Sequence, residues 1–196
     1  DKPCFFIYRQ IMNGRSQTGL VGCASIDDYI NNNIKKHELT RADKEQDRIN
    51  HVDTCNANAG PIFLTYKIGD AIKQIIASWQ ANHEPEYDFV AADGFGHHMW
   101  PVKDKAVNDR ITEIFASIPA LYVADGHHRT AAAARVGQER MKANPNHTGE
   151  EEYCYFLAVT FPESHLRIID YNRVVKDLNG LTEEEFLAAL QEDFEV

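Results

Sequence analysis

Apolar residues recur along this chain with two periods, and their order predicts most of its elements. Cys4 to Met12 and Thr18 to Ser25 read as strands, and Asn13-Gly14 between them marks a hairpin turn. Ile26 to Ile34 predicts a short helix with Asp27 and Asp28 near its start. Thr40, with Asp43 three residues on, forms a weak N-cap for a charged helix over Arg41 to about Asn56. Gly60-Pro61 breaks that helix, and Ile62 to Tyr66 is a compact apolar strand. Over Asp70 to Ala81, the residues Ile72, Ile75, Ile76 and Trp79 share one helical face. A loop at Glu84 to Tyr87 leads into strands around Asp88 to Ala92 and His98 to Val102. Val107, Ile111, Ile114, Phe115 and Ile118 line a further helix, which stops at Pro119.

Leu121 to Ala124 then predicts a buried strand that turns at Asp125-Gly126 into a helix starting near His127 or His128. A polar loop, Asn144 to Glu151, separates this helix from strands at Tyr153 to Phe161 and Leu166 to Ile169. Thr182 with Glu185 caps a last helix through Phe194. The expected class is α+β (mixed α/β), a mixed sheet with flanking helices. No linker forces a division, so residues 1–196 are expected to form one domain. The aromatic side chains follow the same periods and are expected in the core.

Composition narrows the setting. A hydrophobic share of 43% supports a sizeable core, and no apolar run is long enough for a membrane span. The formal charge of −10 disfavours nonspecific nucleic-acid binding, which needs many cations on phosphates. Cys4, Cys23, Cys55 and Cys154 are scattered, with no C-x-x-C pair. They are expected to be reduced and mostly buried in a cytoplasmic protein, holding neither a disulfide framework nor zinc. The chain opens at Asp1, as a processed chain or excised fragment would.

The candidate chemistry concentrates at Asp125-Gly126-His127-His128-Arg129-Thr130. A glycine corner between strand and helix gathers backbone N–H groups over one small volume, and the helix dipole adds positive charge there. Arg129 adds a planar cation suited to phosphate or carboxylate, and Ala131 to Ala134 let the helix approach its sheet. The competing expectation is an ordinary helix start: Asp125 as cap, with two exposed histidines and a solvated Arg129.

Two further clusters deserve weighing. Asp93-Gly94-Phe95-Gly96-His97-His98 repeats the Asp-Gly and His-His pattern, and two such clusters invite a metal-dependent phosphatase or nuclease reading. Adjacent strand residues point to opposite faces, however, and no H-x-x-x-H or H-E-x-x-H spacing occurs, so no dedicated protein metal site is expected. In Lys35-Lys36-His37-Glu38-Leu39-Thr40-Arg41, Glu38 lies beside basic residues, a setting for a catalytic carboxylate near phosphates. Arg41, Lys44 and Arg48 would share a helix face, ordinarily a solvated one. P-loop, nucleophile-elbow and full dinucleotide motifs are missing.

Ala124 to Arg129 followed by alanines resembles the G-x-x-R-x-x-A box of the ParB/sulfiredoxin superfamily. Its Asp-Gly-His-His-Arg form is similar to that of free serine kinases and of domain-of-unknown-function family 1015 (DUF1015). The last resemblance is the widest. It extends over Cys4 to Gln10, Lys35 to Arg41, Gly60 to Tyr66, the box, and Asp170 to Val175. Its members run about twice this length, so the chain resembles part of a longer protein of about 400 residues.

The superfamily resemblance implies a ParB/sulfiredoxin-like fold and nucleotide binding: ATP in sulfiredoxin, CTP in ParB, ATP or ADP in the serine kinases. It implies phosphate contacts from Gly126, His127, His128, Arg129 and Thr130. His127 stands where sulfiredoxin has its catalytic cysteine, so that chemistry is not expected, and no helix-turn-helix pattern supports a partition role. By order along the chain, Glu38 matches the general base of the serine kinases.

The leading expectation is an ATP- or ADP-dependent kinase of a small polar substrate. Glu38, Asp125 and His128 would be catalytic, with Mg2+ arriving with the nucleotide. The alternative is a non-catalytic, nucleotide-gated regulatory module. The oligomeric state stays open.

Overall fold

In a computed structural model, residues 2–67 and 70–195 are described, and the chain divides into two compact units, Asp1–Leu166 and Arg167–Val196. The first unit is built on an eight-stranded mixed sheet of order β3-β7-β4-β8-β2-β1-β6-β5. The hairpin β1 (Phe6–Met12) and β2 (Arg15–Ser25) turns at Asn13 and Gly14, with φ of 52° and 76°. Two successive positive φ values match the twist of the strands they join. Ser25 caps α1 (Ile26–Ile30) through its side chain, and β3 (Ile34–Lys35) follows. After α2 (Ala42–Cys55) come β4 (Ile62–Tyr66), α3 (Asp70–Asn82), β5 (Tyr87–Val90), β6 (Gly96–Pro101) and α4 (Lys105–Ala116). The last core elements are β7 (Leu121–Asp125), α5 (His127–Ala143) and β8 (Tyr155–Pro162).

Three clusters hold this unit together. Ile26, Ile34, Leu64, Val123, Ala133, Ala134 and Phe156 seat α1 and α5 on the sheet. Ile7, Leu20, Tyr66, Ile72, Trp100, Val102 and Ile111 seat α3 and α4. Ile49 of α2 packs on Ala132 and Val136 of α5. The alanines give α5 a close seat, because a side chain of one methyl lets the backbones approach. At Gly137 a Cβ would stand 2.5 Å from the Tyr153 carbonyl oxygen, so that position takes only hydrogen.

Several sequence expectations are corrected. Arg41, not Thr40, is the N-cap of α2, and Thr40 Oγ1 donates instead to Glu45 at 2.8 Å. Leu166 to Ile169 forms no strand, and Ile168 and Ile169 are exposed. Of the cysteines only Cys154 is buried; Cys23 and Cys55 are exposed, and Cys4 is intermediate. Tyr87 and Phe89 lie exposed on the edge strand β5 rather than in the core. The second unit contains α6 (Glu183–Leu190), whose Thr182 and Glu185 form the reciprocal capping box that its sequence predicts.

Candidate functional site

The strands β3 and β7 run parallel, so the segments leaving their carboxyl ends emerge at the same edge of the sheet. One is the loop from Lys36 to Arg41, and the other is the turn into α5. Gly126 makes that turn with φ of 98°, a left-handed conformation that side chains disfavour. As the N-cap it offers no side-chain oxygen to the helix. The first-turn N–H groups of α5 therefore have no intrahelical acceptor, and the dipole of a 17-residue helix points its positive end at the same place.

Glu38 is brought to this turn across 89 residues of sequence: its Oε2 lies 3.6 Å from His127 Nδ1. His37 stands edge-on to His127, with ring centroids 4.4 Å apart. The Arg41 N–H donates to His128 Nε2 at 3.2 Å. Glu45 of α2 holds the loop from behind, accepting from Thr40 at 2.8 Å and pairing with Arg135 of α5 at 3.2 Å. Glu45 and His37 escaped sequence reasoning. The repeated contact between α2 and α5 has no local signature, and His37 reads as one more residue of a charged run.

His127 is buried at 4% exposure, and its Nε2 has no hydrogen-bond partner among the described residues. Burial lowers its pKa below the usual 6.5, and His37 works in the same direction, while Glu38 and Asp125 oppose it. His127 is thus a neutral ring near pH 7, and its burial corrects the expectation of two exposed histidines. Arg129 is not a free cation either. It pairs with Asp125 at 2.9 Å, reaches the Pro61 carbonyl at 3.4 Å, and lies over Gly60. Asp125 accordingly serves Arg129 rather than capping the helix. Thr130 is fully buried and donates its hydroxyl to the Gly126 carbonyl at 2.9 Å, so its side chain shapes the turn instead of facing a ligand. Gly126, His127, His128, Arg129, Asp125 and Glu38 do gather in one place.

The other clusters go elsewhere. β6 lies five strand steps from β7, about 24 Å at ~4.8 Å per step, so no single ion spans the two His-His pairs. His97 meets Tyr8 Oη at 2.7 Å and His98 meets Asp88 at 3.0 Å. The basic face expected on α2 is compensated locally, Arg41 by Asp43 at 2.8 Å and Arg48 by Asp47 at 3.6 Å. Among the described residues no helix is long and apolar enough to cross a membrane.

Fold and site together define an α/β protein with an uncapped helix N-terminus facing an exposed carboxylate. The chain belongs to the family described as "Protein of unknown function (DUF1015)", whose model matches residues 1–196. No curated protein and no solved structure matches it.

Proposed function

We propose that the α5 turn binds the phosphates of ATP or ADP and that the protein phosphorylates a small hydroxylated substrate such as serine. The observation that carries this reading is the meeting of Glu38 with His127, 3.6 Å apart, at an uncapped helix N-terminus. The backbone N–H groups of His127 to Arg129 would hold phosphate oxygens, and Arg129 would exchange Asp125 for phosphate. Glu38, 58% exposed, is open to a substrate hydroxyl. It takes the hydroxyl proton as oxygen attacks the terminal phosphorus; the new O–P bond forms, the bridging P–O bond breaks, and the shortened nucleotide leaves. His128, held by the Arg41 N–H, lines the approach. Mg2+ would arrive with the nucleotide, and Asp125, freed from Arg129, is the carboxylate available to it. The similarity of the Asp-Gly-His-His-Arg box to free serine kinases and to the ParB/sulfiredoxin superfamily supports the same reading.

The non-catalytic, nucleotide-gated module is favoured by one observation, the Arg129–Asp125 pair, which a phosphate would break and thereby switch. The test is thermal unfolding with Mg2+ plus ATP or ADP, followed by an assay for phosphorylated serine. A rise in Tm with product supports the kinase, and a rise without product supports the module. No rise with either nucleotide overturns both.

A further inference from the structure

Away from the α5 turn, the loop that joins α5 to β8 gathers three side chains of different donor chemistry. His147, Glu151 and Cys154 are spaced at i, i+4 and i+7, and their nitrogen, oxygen and sulfur atoms lie within 4.8 Å of one another. His147 Nδ1 is 2.8 Å from Glu151 Oε2, and Cys154 Sγ is 3.8 Å from the same oxygen. We propose that these three residues form a binding site for a divalent transition metal, zinc by preference. One imidazole, one carboxylate and one thiolate suit Zn2+, and metal–ligand distances of about 2.0–2.3 Å fit an ion seated within that triangle.

The ligands are held in place before any ion arrives. Glu151 accepts from the N–H groups of Thr148 at 2.8 Å and Gly149 at 3.0 Å, and from the Thr148 hydroxyl at 3.1 Å. Desolvation works against its ionised form, but these donors prevail and hold the carboxyl down to about 2. Tyr153 stacks beside the His147 ring, with its hydroxyl 3.1 Å from Nδ1, and Asn144 donates to that hydroxyl at 2.9 Å. The stacking and the Asn144 bond fix the plane of the ring, while the hydroxyl contact to Nδ1 gives way to the ion.

Cys154 is 4% exposed. Burial, with Glu151 alongside, pushes its pKa up, so in the metal-free protein it stays a thiol donating to Glu151. Binding forms metal–sulfur, metal–nitrogen and metal–oxygen bonds and releases the thiol proton to solvent. A metal on Nδ1 displaces the N–H that faces Glu151 at 2.8 Å and leaves the ring proton on Nε2. Affinity therefore falls as pH falls. A fourth position remains for water, because His147 is on the exposed side of the loop. The ion would clamp the α5-to-β8 connection, and the site is independent of the nucleotide reading.

The experiment is titration of the metal-stripped chain with Co2+, then Zn2+. One equivalent of Co2+ should produce a near-ultraviolet thiolate-to-cobalt charge-transfer band that Zn2+ abolishes, and Zn2+ should raise Tm. Cys154→Ser should remove the band, whereas Cys23→Ser and Cys55→Ser should keep it. His147→Gln, at an exposed position, should weaken binding by at least about 10- to 100-fold, the loss that even an outer partner of a metal ligand causes. A chain that shows no thiolate band, a band that survives Cys154→Ser, or unchanged affinity in His147→Gln would each overturn the site and leave a hydrogen-bonded loop staple.

Discussion

The chain spells Asp-Gly ahead of a His-His pair twice, and the two copies are put to different use. At Asp125-Gly126 the glycine, with φ of 98°, turns a strand into a helix. Successive helical side chains diverge by about 100°, so His127 points into the protein while His128 reaches Arg41, and both stay at the corner where Glu38 arrives. At Asp93-Gly94 the glycine, with φ of 83°, closes the hairpin between β5 and β6. Strand side chains alternate, so His97 goes to Tyr8 and His98 to Asp88 on the other face. The same residues converge under one backbone period and separate under the other. Residue type supplies the chemistry, and backbone curvature decides whether it accumulates.

The sharpest way to break this comparison is to neutralise the carboxylate that each histidine pair meets. Glu38→Gln should lower phosphorylation of serine at saturating nucleotide by about 10²- to 10⁴-fold, the usual contribution of a positioned base. Asp88→Asn should leave the rate unchanged. If both variants behave alike, the α5 corner has no privileged chemistry.

The glycines come next. Gly126→Ala should cost about 1–3 kcal/mol in urea unfolding. Its φ is left-handed, and the new Cβ would meet Arg129 Nη2 at 3.0 Å, pressing on the Arg129–Asp125 pair. Gly94→Ala carries only the backbone strain, about 1–2 kcal/mol, because nothing lies within 4 Å of its added Cβ. Equal losses would mean that Arg129 yields freely.

What was legible in the sequence follows from range. The Asn13-Gly14 turn, the Thr182 box and the faces of α3 and α4 rest on residues a few positions apart, and the structure forms them as read. The box at Gly126 was legible as a turn, and Glu38 as a carboxylate worth placing near it. Their meeting needed the parallel pairing of β3, only two residues long, with β7. No periodicity announces a strand that short. The Leu166 to Ile169 run failed in the opposite way: its local pattern was strand-like, but a strand is completed by its neighbour. His127 illustrates a third limit, since its place in the first turn of a helix reads as exposed and long-range packing buries it. The His147, Glu151 and Cys154 group hid because its spacing matches none of the common ligand motifs.

Burial of His127 also makes a pH prediction. Its folded-state pKa is depressed below 6.5, so between that depressed value and 6.5 the unfolded chain binds the extra proton. Stability from this residue is fully present above pH 6.5 and declines as pH falls through the window. His127→Gln should flatten that part of the stability-versus-pH curve, measured by urea unfolding from pH 7.5 downward. A curve of unchanged slope would mean that the ring is solvated.

The smallest effect concerns Arg129. Its pair with Asp125 is 40% and 72% exposed, so water and salt screen it. Arg129→Ala should therefore cost less than about 1 kcal/mol of stability in the free protein. The same variant should lose most of the Tm rise produced by nucleotide, because there the guanidinium meets phosphate instead of Asp125. These two readouts separate a residue kept for binding from one kept as a strut between α5 and the Gly60-Pro61 turn. A large stability loss with the nucleotide response intact would make Arg129 a strut, and the α5 corner would then differ from the β5–β6 hairpin in shape but not in purpose.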